Sequence, residues 1–104
     1  MSDARSGSGK ERTLRLRVYV AGESPNSVTA LRHLRALLTA YPSLQVDLEI
    51  VDVLKHPELG VRDRVLVTPM TIKLAPRPER RIPGTLKDAD ALVAVLGLAE
   101  VRRE

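Results

Sequence analysis

The sequence has no cysteine, no tryptophan and no phenylalanine, and its aromatic side chains are Tyr19 and Tyr41 alone. Each absence removes a class of function. Without cysteine there can be no disulfide, no thiolate metal site and no thiol catalysis. With two tyrosines there is no platform on which successive bases could stack, which counts against recognition of RNA or single-stranded DNA. His33 and His56 lie far apart and in no ligand spacing, so neither a metal nor another cofactor is expected. No apolar run is long enough to span a bilayer, and residues 1–12 lack the apolar centre of a signal peptide. The expected setting is cytoplasmic, with no membrane association.

What is present suits one small domain. Hydrophobic residues make up 43% of the 104, enough to fold, and the core must be built from Leu, Val, Ile and Ala. The net charge of +4 and a pI near 10.0 permit an acidic partner without requiring one. The densest basic stretch, Lys73 to Lys87 with Arg77, Arg80 and Arg81, reads as a solvated face or as a charged partner surface. The opening MSDARSGSGKER is polar and rich in Gly and Ser, so residues 1–12 are expected to form a disordered tail before a domain over 13–104.

Leu14 to Val20 alternates, with Leu14, Leu16, Val18 and Val20 on one face and Arg15, Arg17 and Tyr19 on the other. Ser24 then offers a helix N-cap and Pro25 suits the first helical position. Val28, Leu31, Leu34, Leu38 and Tyr41 recur at spacings of three and four as an apolar stripe, leaving His33 at the surface. Leu44 to Val53 is a second strand. A right-handed crossover pairs it in parallel with the first, bringing Arg15 and Arg17 near Asp47 and Glu49. The charged alternation implies a sheet covered by helices on one side and less completely on the other.

Pro57 can open a short helix, which Gly60 weakens. Met70 to Ala75 reads as a third strand and Arg80 to Ile82 as a short edge strand. Thr85-Leu-Lys-Asp88 reads as a capping box for a last helix, with Asp88 and Asp90 in its first turn. Leu92 to Leu98 is so uniformly apolar that helix and buried strand both remain open.

The order βαβαββα is that of a thioredoxin-like α/β domain. A thioredoxin carries its redox CxxC at the start of the first helix, where this chain has Ser24-Pro25-Asn26-Ser27. A hydroxyl is not a low-pKa thiolate, so oxidoreductase activity is excluded. Thr68-Pro69 stands where such folds carry a cis proline; a cis bond would make the pair an isomer switch, and an ordinary trans turn is the alternative. No P-loop, GxGxxG, GxSxG or HExxH is present. Ser24 and Ser27 have no neighbouring base to activate them, which leaves an enzyme reading with little support.

Leu16-Arg-Val-Tyr-Val-Ala-Gly22, Ser24-Pro-Asn-Ser-Val28 and Ala30-Leu31 resemble the opening of the KaiB family of circadian-clock proteins. Val51-Asp-Val-Leu-Lys55, Val65-Leu-Val-Thr-Pro69 and Arg80-Arg-Ile82 with Gly84 are similar to its later motifs. The resemblance runs from about residue 14 to 98. It departs at Pro83, at Thr85 to Lys87 and at Val95, which stands where many members that switch fold have glycine. The resemblance implies a non-catalytic regulator that binds a KaiC-like ATPase and, through it, KaiA or histidine-kinase partners. It also implies a homo-oligomer, dimer or tetramer, and a metamorphic chain whose C-terminal half adopts a second arrangement. A paralogue acting in stress signalling without KaiC is the alternative, and a nucleic-acid-binding module is less favoured. Ser24, Asn26, Ser27, Asp52, Lys55, Arg80 and Arg81 are the expected partner contacts.

Overall fold

Leucine and valine on alternate positions make Leu14–Val20 (β1) a strand with one fully apolar face, and that face lies at the centre of the molecule. A computed structural model describes residues 13–101. The tail expected over residues 1–12 lies outside the described residues. After β1 come Pro25–Thr39 (α1), Val46–Asp52 (β2), Pro57–Arg62 (α2), Met70–Ala75 (β3), Arg80–Pro83 (β4) and Ala89–Leu96 (α3). The sheet order is β2-β1-β3-β4, with β1 and β2 parallel and the other neighbours antiparallel. This is the thioredoxin-like arrangement that the element order implies.

Two cores lie on the two faces of the sheet. Leu14, Leu16, Val18 and Val20 pack with Ala30, Leu34 and Leu37 of α1 and with Leu92 and Leu96 of α3. On the other face Tyr19, Val51, Met70 and Ile72 form a smaller cluster with Leu59 of α2, Val53 and Val65. The buried stripe of α1 is Ser27, Ala30, Leu34 and Leu37, while Val28 is 46% exposed. The stripe is therefore rotated from the pattern of large residues. The small side chains of Ser27 and Ala30 let the start of α1 approach the sheet closely.

Register follows the charges. Arg15 lies opposite Asp47 and Arg17 opposite Glu49, with ion pairs at 3.5 and 2.7 Å. In α2, Gly60 sits where a Cβ would come 3.3 Å from Val53, so its small size permits close contact with the sheet edge. The last helix starts later than a capping box at Thr85 would place it. Asp88 is the N-cap, its carboxylate accepting from the Ala91 N–H at 3.0 Å. Thr85 instead belongs to a strap whose carbonyl lies 2.7 Å from His33 Nδ1, so His33 is half-buried rather than a surface residue. Residues 89–96 settle as helix, closed by Gly97 at φ 73°.

β3 carries two polar side chains on the main-core face, opposite Val18 and Leu16. Thr71 Oγ1 is buried with no hydrogen-bond partner, and Lys73 is 4% exposed without an ion pair among the described residues. Burial holds the Lys73 amine below its ordinary pKa, and the charge of Arg80 on β4 pushes the same way.

Candidate functional site

Parallel β1 and β2 end together, and β3 starts beside them because Met70 pairs with Tyr19. β4 ends there too, with Pro83 opposite Met70. One end of the sheet therefore gathers residues 21–24, 53–56 and 66–69 with Gly84.

Each segment is tied down by specific hydrogen bonds. Ser24 caps α1, its Oγ accepting from the Ser27 N–H at 3.4 Å and donating to Ser27 Oγ at 2.8 Å. Ser27 Oγ in turn accepts from the Ala21 N–H at 3.1 Å. Asp52 Oδ1 accepts from Gly22 N and Leu54 N, both at 2.9 Å. Those two backbone N–H groups hold the Asp52 carboxyl below its ordinary pKa, and they join the turn after β1 to the turn after β2. Gly22 has φ +58°, and a Cβ there would meet Leu54 at 3.3 Å. The Thr68–Pro69 bond is cis, as are Ala75–Pro76 and Arg77–Pro78, and the Pro69 carbonyl accepts from Gly84 N–H at 3.0 Å.

Ser24, Asn26, Ser27, Asp52, Lys55, Thr68 and Pro69 thus come together at this end. Asn26 and Lys55 are exposed, whereas Ser27 is 1% exposed and serves to hold Ala21 and Ser24. Arg80 does not join them. It starts β4 opposite Lys73, about 10 Å along the strand from Pro83. Arg81 lies between the two ends, and its guanidinium donates to the Asp63 and Arg64 carbonyls.

The sequence reading missed the apolar part of the surface. Leu66 is 91% exposed, Val61 77% and Val67 51%, and all three line one cleft of about 360 Å³ between α2 and the segment before β3. Leu54, 71% exposed, covers the neighbouring Gly22 turn. Scattered exposed leucines mean little, but an apolar cluster around a cleft marks an interaction surface. The available signal was Val65-Leu-Val67, three apolar residues in a connection with no alternation.

Below this surface lies a polar hub. The Asp63 carboxylate accepts from Arg17 at 2.9 Å, from Arg62 at 3.1 Å and from the phenol of Tyr19. Tyr19 Oη also lies 3.0 Å from the Leu59 carbonyl. Arg62, ahead of Tyr19 and Arg17, holds the Asp63 carboxyl down to about 2. Burial, assisted by Asp63, raises the Tyr19 phenol. Among the described residues no group of three His, Cys, Asp or Glu could hold a metal ion, and no helix is long and apolar enough to cross a membrane.

The family model for the KaiB domain matches residues 17–98. The chain belongs to the KaiB family. It is 41% identical over 87 residues to the circadian clock oscillator protein KaiB of Synechococcus elongatus, an alignment covering 84% of this chain and 85% of the relative. To KaiB1 of Synechocystis it is 40% identical over 88 residues, covering 85% and 84%. Among solved structures, the N-terminal domain of Synechococcus elongatus SasA matches at a TM-score of 0.68 and 24% identity, covering 88% of this chain and 90% of that one. Chloroplastic thioredoxin z matches at 0.70 and 18%, covering 94% and 89%. These two likenesses concern the fold. In this KaiB-family chain the helix start that bears thiols in a redox thioredoxin bears Ser24 and Ser27.

Removing the cap tests how far this end depends on it. Ser24→Ala should cost about 1 kcal/mol of stability. Thermal unfolding would show it as a fall in Tm of about 4–8 °C. An unchanged Tm would mean that Ser24 does not hold the helix start.

Proposed function

We propose that this KaiB-family protein is a non-catalytic clock or signalling regulator that docks on a KaiC-like ATPase through the thiol-free end of its sheet. Leu66 and Val67, exposed beside the α2 cleft at the end of the sheet that gathers Ser24, Asn26 and Lys55, carry this reading. Membership of a family of clock oscillator proteins supports it. Lys55 and Asn26 add polar contacts around the apolar centre. KaiA or a histidine kinase joins through that complex. The reading includes a self-associated state, dimer or tetramer, in which the C-terminal half is arranged differently. Its support lies in that half, where Leu86 has a left-handed backbone at φ 62° and Thr71 Oγ1 is buried without a hydrogen-bond partner among the described residues.

The test is size-exclusion co-elution with the KaiC homologue of its own organism, in both nucleotide states, after a day's incubation. A complex is expected. Leu66→Asp should weaken it by at least about tenfold, because an exposed anchor is lost while the fold keeps its stability. No complex in either nucleotide state would overturn the ATPase reading and direct the search to histidine kinases.

A further inference from the structure

The segment that presents Leu66 and Val67 is held mainly at its start, at Asp63 to Val65. It leaves α2 at Arg62 and passes Arg64 in a left-handed conformation at φ 57°. Its start is anchored to α2 by three backbone bonds, the Asp63, Arg64 and Val65 N–H groups donating to the Leu59, Val61 and Gly60 carbonyls at 3.1, 3.1 and 2.8 Å. Arg62 adds a local contact to the Asp63 carboxylate, and the remaining side-chain support comes from far away in sequence. From β1, Arg17 and Tyr19 bind the Asp63 carboxylate. From β4, Arg81 donates through one guanidinium nitrogen to the Asp63 carbonyl and through another to the Arg64 carbonyl at 3.3 Å. The Arg81 side chain is 37% exposed and its Nε lies 3.8 Å from Glu79, so it is only partly free for a partner.

We propose that Arg81 and Asp63 are positioning residues for docking. Together they clamp the exit of α2 between β1 and β4, and this clamp fixes the shape in which Leu66 and Val67 are offered. The geometry supports this role over direct contact. A planar guanidinium with several N–H donors can bridge two successive carbonyls, which a point charge does less well. Both carbonyls belong to the two residues at which the chain turns out of α2. The clamp faces Arg62 from α2, Glu49 of β2 by way of Arg17 on β1, and Glu79 just before β4. This inference rests on the docking reading above, but part of its test does not.

The first readout needs no partner. In Arg81→Ala, amide exchange at Val65 should speed up by about tenfold while exchange across the middle of α1 stays at the wild-type rate. Arg81→Lys, which keeps a cationic donor but not the fork that reaches both carbonyls, should restore part of the protection. The second readout is binding to the KaiC homologue. Arg81→Ala should weaken it by about tenfold and Arg81→Lys by about threefold or less. Unchanged exchange at Val65 in Arg81→Ala would overturn the inference. So would weakened binding with wild-type exchange, since Arg81 would then touch the partner directly. If the wild-type protein binds no KaiC homologue, the docking reading fails, while the exchange result still decides whether the clamp exists.

Discussion

Replacing Tyr19 with alanine is expected to remove about 3–5 kcal/mol of stability, a large part of what a domain this size possesses. Tyr19 is 0% exposed and is the aromatic centre of the smaller core, packed with Val51, Met70 and Ile72. Truncation leaves a cavity that rigid strands on either side cannot fill. It also deprives the Asp63 carboxylate and the Leu59 carbonyl of their phenol contact. Tyr19→Phe separates the two effects. It keeps the ring and removes the hydroxyl, and should cost about 1–3 kcal/mol for the acceptor left short of a donor. Denaturant midpoints of the three proteins would measure both steps. If Phe and Ala were equally damaging, the ring would contribute little and the smaller core would not be a core.

The second large effect concerns acid. The Asp63 carboxyl titrates at about 2, against an ordinary value of 3.8, because Arg62, Tyr19 and Arg17 all bind its charged form. Between those values the unfolded chain binds more protons than the folded one, so stability rises with pH through that window. The contribution is complete above about pH 4 and fades as the pH falls towards 2. A shift of this size corresponds to about 2 kcal/mol. Asp63→Asn should therefore be less stable than wild type by about 2 kcal/mol at pH 7, and the gap should close as the pH approaches 2. Urea unfolding of both proteins from pH 2 to 7 would show this. A gap that stayed constant with pH would mean that Asp63 acts through shape and not through charge.

The parts of this fold that were legible in the sequence are those set by neighbours. Alternation from Leu14 to Val20 placed a strand and both of its faces, and Ser24-Pro25 placed a helix start. Arg15 and Arg17 met Asp47 and Glu49 because a parallel crossover leaves little freedom of register. The failures share another cause. Ser27 looks like an exposed cap residue but is buried, because a small residue lets α1 sit close to the sheet. Thr85 has the right spacing for a capping box, yet Leu86 turns left-handed and moves the helix start to Asp88. Arg17 and Asp63 stand 46 residues apart, and no local pattern announces that they touch. Leu66 was not legible for the opposite reason. An apolar residue in an apolar run suggests burial, and only tertiary structure shows it pointing outward.

The two serine oxygens at the start of α1 lie 2.8 Å apart, with the same two-residue spacing as a redox dithiol. An oxygen pair in that place stores no electrons. It cannot be locked shut by an oxidant or reopened by a reductant, so the shape of this end is indifferent to the glutathione balance around it. If the docking proposed above holds, the protein would answer to its partner without also reporting on oxidative stress.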